Sequence, residues 1–210
     1  MSNVKQVNKL HYEFSRYMEK ERWISMWHQL DEIQKLNPES VLEIGPGPGF
    51  FKAVANQLGM KVKTMDLDPD LEPDYLGSAT SIPLPDSSVD VVCAFQMLEH
   101  LPYETALLAF QEMTRVSRSK VLISLPDAGR ALHTQIHIAP FGHYRITIPL
   151  PFWMAKTHKF DGQHYWEINK RNYSLSKVMK DFSQEAELLR TFRVPENPYH
   201  RFALFQKNEM

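Results

Sequence analysis

The ten residues Val41–Phe50 constrain the fold more than any other stretch of the chain. Val41, Leu42 and Ile44 predict a short buried strand. Three glycines alternating with prolines then predict a tight loop, and a helical pattern begins at Phe50. Strand, glycine loop and helix in this order are typical of the first βα turn of a nucleotide-binding α/β sheet. The stretch therefore predicts a parallel sheet with a ligand at its carboxyl edge.

The spacing of the glycines separates two kinds of nucleotide site. A dinucleotide-binding loop has the pattern G-x-G-x-x-G, whereas the third glycine position is occupied here by the bulky Phe50. Pro46 and Pro48 also lack the backbone N–H groups that would face a pyrophosphate. The loop therefore favours a ligand without phosphate groups. A nicotinamide-dependent oxidoreductase remains an alternative that these residues disfavour.

Two motifs resemble those of the class I S-adenosylmethionine-dependent methyltransferases. The first is the E-x-G-x-G-x-G loop formed by Glu43, Gly45, Gly47 and Gly49. The second is Leu98-Glu99-His100-Leu101, which follows the predicted fourth strand. The resemblance covers residues 40–127. It implies an α/β fold, namely a three-layer Rossmann-like sandwich with a seven-stranded, mostly parallel sheet and an antiparallel last strand, and it implies S-adenosylmethionine as the cofactor.

The resemblance also implies which residues bind the cofactor. Asp66 ends the predicted second strand, where an acidic side chain can accept hydrogen bonds from ribose hydroxyls, and Asp68 is the alternative. Ser78 and Ala79 stand where the family holds the adenine edge, with Ser78 replacing a frequent aspartate. Gln96 follows the fourth strand, near the expected methionine end. The full predicted set is Glu43, Gly45, Gly47, Gly49, Asp66, Ser78, Ala79 and Gln96.

The chain is predicted to be one methyltransferase domain, residues 1–210. Residues 1–37 predict an N-terminal helical cap, 40–127 the cofactor-binding core, and 173–210 a helix followed by antiparallel strands. Residues 128–172 have no regular pattern but are rich in aromatic residues and histidines. A long connection of this composition favours an ordered insertion that covers the substrate.

Five histidines are candidates for a general base, which is needed only if the methyl acceptor must lose a proton. They are His100, beside the expected methionine end, and His133, His137, His143 and His164 in the insertion. His133 and His137 are four residues apart, as metal ligands on a helix would be, but no H-E-x-x-H pattern or cysteine pair accompanies them. The sequence therefore predicts no metal site.

Composition limits the partners and the compartment. The formal net charge is −1 with no long run of one sign, so we expect no nucleic-acid partner. The single cysteine, Cys93, excludes an intrachain disulfide and favours the cytoplasm. No signal-peptide pattern or uninterrupted membrane-spanning run is found, so we expect no integral membrane association. The expected partner is a small-molecule acceptor, and assembly into a homo-oligomer stays open.

Three classes of function are consistent with these patterns. The first is in-line methyl transfer from S-adenosylmethionine to an unidentified acceptor. The second is a non-catalytic relative that keeps the pocket for regulation or partner binding, and the third is the oxidoreductase. Asn197-Pro198-Tyr199 is similar to the N-P-P-Y motif of amino-group methyltransferases, but that motif follows the fourth strand. Its position here therefore does not identify the acceptor atom.

Overall fold

The computed structural model describes residue 17 and residues 19–149 and 155–208. The side chains at 133, 135, 137, 143, 145, 147 and 149 lie outside this description. Predictions that fall on residues 1–16, the first part of the helical cap, therefore also lie outside it.

The described elements follow the predicted alternation of strands and helices. In chain order they are α1 (Lys20–Leu36), β1 (Val41–Ile44), α2 (Phe50–Gln57), β2 (Val62–Asp66), β3 (Tyr75–Leu76), β4 (Val89–Phe95), α3 (Tyr103–Val116), β5 (Ser117–Pro126), β6 (Ala131–Ile138), β7 (Gly142–Pro149), α4 (Leu175–Phe182), β8 (Ala186–Arg193) and β9 (His200–Lys207). Two short 3₁₀ helices, Pro69–Leu71 and Leu98–His100, lie in the loops after β2 and β4.

Seven of these strands form one sheet in the order β3-β2-β1-β4-β5-β9-β8. The strands from β1 to β5 pair in parallel. Strand β9 is antiparallel to both of its neighbours, β5 and β8. The predicted fold class, a mostly parallel seven-stranded sheet whose last strand is antiparallel, is therefore confirmed.

Two hydrophobic clusters pack on opposite faces of the sheet and give the fold its three layers. Successive side chains of a strand point to opposite faces, so Val91 and Val92 of the central strand β4 enter different clusters. Val92 belongs to the cluster with Phe110 of α3 and Phe182 of α4, whose ring centroids are 4.8 Å apart. Val91 belongs to the cluster with Ile33 of α1. Both faces of β4 are thus covered, as its nearly continuous apolar sequence indicates.

Strands β6 and β7 form a separate antiparallel hairpin inside the insertion. Its exposed hydrophobic residues occupy alternate positions: Leu132, Ile136, Ile138, Tyr144, Ile146 and Ile148. This period of two is a strand signal, and a regular hairpin replaces the irregular chain that the sequence suggested here. Three base candidates, His133, His137 and His143, lie on these strands, and their side chains are outside the described part of the molecule.

The start of α4 makes a small contribution to stability that can be measured. Ser174 is its N-cap, and the hydroxyl accepts a hydrogen bond from the backbone N–H of Lys177 at 3.3 Å. Ser174→Ala should lower the free energy of unfolding by about 1 kcal/mol, because it removes the partner of a helix-terminal N–H. Urea denaturation measures the change. Ser176→Ala, at an exposed position of the same helix, is the control and should leave stability unchanged or slightly higher. Equal midpoints for Ser174→Ala and the native chain would contradict the cap.

Candidate active site

A cavity of about 1130 Å³ lies at the carboxyl ends of β1, β2 and β4, where open α/β sheets bind their ligands. The predicted residues that line it are Gly45, Gly47, Asp66, Ser78, Ala79, Gln96, His100 and His164. Several lining residues were not selected from the sequence, among them Arg22, Thr80, Glu99, Tyr199 and His200. The sheet thus brings most of the predicted cofactor residues and two of the predicted bases to one cavity.

The glycine loop lines the cavity with the backbone atoms of Gly45 and Gly47, which carry no side chain. Gly45 and Gly47 have φ angles of 67° and 53°, in the left-handed region that favours glycine. A Cβ added at Gly45 would lie 2.3 Å from Cγ of Met97, another lining residue, so even an alanine would displace it. Gly49 has a different place, because it forms the N-cap of α2 and does not line the cavity.

Glu43 lies on β1 beneath the loop rather than on the cavity wall. Its side chain is buried, at 3% exposure, and Oε2 has no hydrogen-bond partner among the described residues. Burial raises the pKa of this carboxyl group to about 8 against the opposing charge of Lys52, and nearby Asp66 adds to the increase. A buried acceptor of this kind is stabilised by a cation or a hydrogen-bond donor beside it.

The two acidic residues near the end of β2 have different roles in the structure. Oδ1 of Asp66 accepts a hydrogen bond from the backbone N–H of Asp68 at 2.9 Å, which orients the Asp66 carboxylate at the strand end. Oδ1 of Asp68 accepts from the backbone N–H of Asp70 at 3.0 Å and caps the short helix Pro69–Leu71. Both residues line the cavity, but Asp66 is the one that the parallel strand itself positions.

Local hydrogen bonds hold the remaining predicted cofactor residues. The Ser78 and Thr80 hydroxyl oxygens are 2.9 Å apart, and Ser78 also accepts from the Thr80 backbone N–H at 3.3 Å, which forms a tight turn beside Ala79. Gln96 has a φ of 53°, and its side-chain amide donates to the Ser124 hydroxyl at 3.3 Å. A non-glycine residue in the left-handed region is strained, and such strain concentrates at functional sites.

The wall of the cavity is acidic. Its described Asp and Glu residues are Glu19, Glu21, Asp66, Asp68 and Glu99, whereas Arg22 is its one described Lys or Arg. His200 adds no positive charge at neutral pH, because burial lowers its pKa to about 3, with help from Arg22 and His164. The electrostatics therefore favour a cationic ligand and oppose a pyrophosphate.

A cluster of acidic residues, histidines and a tyrosine lies at the insertion side of the cavity. We call Glu99, His100, His164, Glu167 and Tyr199 the Glu-His cluster. Nδ1 of His164 is 3.2 Å from Oε1 of Glu167, and the Tyr199 hydroxyl donates to the same oxygen at 2.9 Å. The rings of His100 and His164 meet edge to face with centroids 5.1 Å apart.

Charge and burial shift the pKa values in this cluster in different directions. Burial alone would lower the pKa of His164, but its hydrogen bond to Glu167 and the nearby Glu99 raise it above its usual value. Glu99 is 0% exposed, and burial raises the pKa of its carboxyl group to about 8. Neither oxygen of Glu99 has a hydrogen-bond partner in the described part of the chain.

Comparison with known proteins identifies the class to which this fold and cavity belong. A family model described as a methyltransferase domain matches residues 42–125, which include the glycine loop, Asp66 and the Glu99-His100 pair. Residues 42–125 thus match a methyltransferase domain, which supports the resemblance to Rossmann-like, S-adenosylmethionine-dependent methyltransferases that the sequence predicted.

Relatives carry the same general description. A protein of Mycobacteroides abscessus called an uncharacterized methyltransferase is 26% identical over 166 residues, which cover 72% of this chain and 60% of that protein. One from Mycobacterium sp. (strain JLS), with the same description, is 31% identical over 119 residues, which cover 51% of this chain and 43% of that protein. The chain therefore spans about half the length of these curated relatives.

Solved structures share the fold at low sequence identity. The PH0226 protein of Pyrococcus horikoshii OT3 superimposes with a TM-score of 0.62 at 13% identity, over 96% of this chain and all of that one. A Burkholderia thailandensis 1,6-didemethyltoxoflavin-N1-methyltransferase with bound S-adenosylhomocysteine gives a TM-score of 0.57 at 13% identity, over 96% of this chain and 88% of that one. These likenesses concern the fold alone.

Proposed function

We propose that the protein is a methyltransferase that binds S-adenosylmethionine in this cavity and transfers its methyl group to a small-molecule acceptor. One observation supports this proposal most strongly. The glycine loop, Asp66 and residues of the Glu-His cluster line the same acidic cavity. The match to the methyltransferase domain supports the reaction class. The size of the cavity supports a small acceptor, since drug-sized ligands occupy clefts of roughly 300–1,000 Å³.

The residues on the wall fit the chemical groups of the cofactor. S-adenosylmethionine, when bound, supplies a methyl group on a positively charged sulfonium. Gly45 and Gly47 would admit it against the backbone, and Asp66 would accept hydrogen bonds from its ribose hydroxyls. Glu43 lies behind the cavity wall, where its buried oxygen would stabilise a hydrogen-bond donor beside it rather than contact the cofactor. The apolar side chains available to the adenine include Ile44, Leu67, Leu71 and Met97.

The insertion supplies the acceptor side in this proposal. Phe160, Gln163, His164 and Tyr165, all from 128–172, line the cavity. They support a substrate-covering role for this part of the insertion, within a single domain. Of the five base candidates, His100 and His164 reach the cavity. The Glu-His cluster would orient the acceptor close to the methyl group, and positioning of this kind supplies much of the rate of a two-substrate reaction.

The partners follow from the same site. The described part of the cavity wall is acidic, which supports a small uncharged or cationic acceptor rather than a nucleic acid. None of the described helices combines the length and the apolar character needed to cross a bilayer. A cytoplasmic location remains a prediction based on the single, buried and reduced Cys93.

Turnover tests the proposal. The chain should convert methyl-labelled S-adenosylmethionine to S-adenosylhomocysteine in the presence of a panel of hydroxyl, amine and activated-carbon acceptors, with the label recovered in a small molecule. Label recovered only in protein or nucleic acid would contradict the small-molecule acceptor. Binding of the cofactor without turnover on any acceptor would favour the non-catalytic alternative.

Asp66→Ala should weaken S-adenosylmethionine binding by about 10- to 100-fold, since hydrogen bonds to a charged group contribute roughly 1.5–3 kcal/mol. Calorimetric titration gives the dissociation constant. Asp68→Ala is the matched control, because Asp68 lines the same cavity but caps the 3₁₀ helix Pro69–Leu71. A greater loss of affinity in Asp68→Ala than in Asp66→Ala would assign the ribose contact to Asp68 instead.

A further inference from the structure

We propose that Glu99, His100 and His164 bind a divalent first-row transition cation at the acceptor end of the cavity. Each of the three side chains offers one ligand atom, and these atoms lie within 4.8 Å of one another. Metal–nitrogen and metal–oxygen bonds of roughly 2.0–2.2 Å require ligand atoms at most about 4.4 Å apart. Side-chain shifts of a few tenths of an ångström would therefore bring all three ligand atoms into bonding distance of one ion.

Of the three proposed ligands, Glu99 is the one whose buried carboxylate a cation would stabilise most. Its side chain is shielded from solvent, yet neither carboxylate oxygen has a hydrogen-bond partner among the residues described. A buried carboxyl group without partners is destabilising, and proteins compensate such groups by pairing or by metal coordination. Arg22 is the one described Lys or Arg on the cavity wall, and its guanidinium makes no hydrogen bond to either Glu99 oxygen. A cation between Glu99 and the two imidazoles would satisfy this carboxylate.

Each of the two histidines makes an Nδ1 hydrogen bond of the kind that metal-bound imidazoles make. A carbonyl or carboxylate oxygen can only accept, so Nδ1 of His100 donates to the Gln163 carbonyl at 3.2 Å, and Nδ1 of His164 donates to Glu167 at 3.2 Å. In neutral imidazoles these bonds place the proton on Nδ1 and the lone pair on Nε2. Metal-bound histidines almost always donate their other ring nitrogen to a carbonyl or carboxylate in this way.

A further shell of contacts fixes the same arrangement. The Tyr199 hydroxyl donates to Glu167 at 2.9 Å, and Nε2 of His158 donates to the backbone carbonyl of His164 at 2.8 Å. The Glu167 carboxylate also pairs with Lys170 at 3.4 Å. The position of the His164 ring is therefore set before any ligand enters. Together with the bond between His100 and Gln163, these contacts join the segment after β4 to the insertion and to the β8–β9 link, so no local spacing of histidines reveals them.

The donor set indicates the kind of ion and the kind of acceptor. Two imidazoles and one carboxylate suit Mn²⁺, Fe²⁺, Co²⁺ or Zn²⁺ better than Mg²⁺ or Ca²⁺, which prefer oxygen ligands. Three protein ligands leave coordination positions open toward the cavity. This second step rests on the proposed function: the open positions favour an acceptor that presents a hydroxyl oxygen.

Mn²⁺ titration of the full chain without S-adenosylmethionine tests the site, because the electron paramagnetic resonance signal of free Mn²⁺ falls as the ion binds. We expect about one ion bound per chain, and affinity at least tenfold weaker in Glu99→Gln and in His164→Ala. His28→Ala is the control, because His28 pairs with Glu196 at 3.2 Å and does not line the cavity. It should bind Mn²⁺ like the native chain.

Two results would overturn the site: no Mn²⁺ binding to the native chain, or equal binding by the native chain and His164→Ala. His164→Ala decides the matter if Glu99→Gln fails to fold, because His164 is not fully buried and tolerates truncation better. S-adenosylmethionine binding is measured separately on the metal-free chain. Cofactor binding without Mn²⁺ binding would refute the metal site and leave the methyltransferase proposal standing.

Discussion

Asp127→Asn should lower the free energy of unfolding by roughly 3–5 kcal/mol, the usual cost of removing one partner of a buried ion pair. The Asp127 carboxylate is completely buried at the end of β5. Its Oδ2 accepts from Nε of Arg193 and Nε of Arg201, both at 2.7 Å, and its Oδ1 accepts from Asn169 and the Gly129 backbone N–H, both at 2.8 Å. The substitution leaves two guanidinium groups of β8 and β9 without their counter-charge at the edge that carries the insertion.

The matched control is Asp86→Asn, which breaks the pair between Asp86 and Arg115 at 2.6 Å. The Asp86 side chain is 72% exposed, so this change should cost no more than about 1 kcal/mol. Guanidinium denaturation at neutral pH compares the two variants. Similar costs for both would show that the Asp127 network does not stabilise the fold.

The same carboxylate gives a dependence on pH. Burial would raise the pKa of Asp127, but the hydrogen bonds from Arg193, Arg201 and Asn169 outweigh burial and hold it below the usual value. The folded state thus binds the proton less readily than the unfolded state does. The stabilisation is complete above about pH 5, where the unfolded carboxyl group is ionised, and is lost as the pH falls through the lowered pKa. The difference between the native chain and Asp127→Asn should therefore shrink in acid.

Gly45→Val should abolish measurable binding of S-adenosylmethionine. The φ of 67° strains any side chain at this position, and a Cβ would lie 2.3 Å from Cγ of Met97. The two further methyl groups of valine would occupy the cavity beside Met97 or force that side chain into it. Calorimetry measures the loss, which should exceed a hundredfold because the change costs more than about 2.8 kcal/mol of binding free energy.

Gly59→Val is the control that separates the effect of backbone strain from the effect of the close contact between Gly45 and Met97. Gly59 also has a positive φ, of 87°, but a Cβ there would meet nothing within 4 Å, and the residue does not line the cavity. Both variants should lose some stability, and only Gly45→Val should lose the ligand. Intact binding by Gly45→Val would show that the loop does not hold the cofactor.

The cofactor half of the site was predictable because its signals are local. Val41, Leu42 and Ile44 predict the strand, and the glycines permit the left-handed backbone of the loop. A parallel sheet then brings Asp66 to the same edge. The contact between Gly45 and Met97 was not predictable, since it joins two loops through the tertiary fold.

The acceptor half depends on long-range packing. Glu99 is next to His100 in the sequence motif. That its carboxylate is buried without a hydrogen-bond partner among the described residues becomes apparent only from the folded structure. Tyr199 belongs to a tripeptide that resembles a methyltransferase motif at the wrong position, and its observed role is a hydrogen bond to Glu167. The hairpin strands were missed, because exposed apolar residues at alternate positions look irregular when a buried pattern is sought.

The glycine loop should hold S-adenosylmethionine and not a dinucleotide. Calorimetric titration of the chain with S-adenosylhomocysteine, and separately with NADH, tests it most directly. The acidic wall, the loop prolines and Phe50 predict binding of S-adenosylhomocysteine with a dissociation constant on the order of micromolar and no binding of NADH. Binding of NADH without binding of S-adenosylhomocysteine would contradict the account.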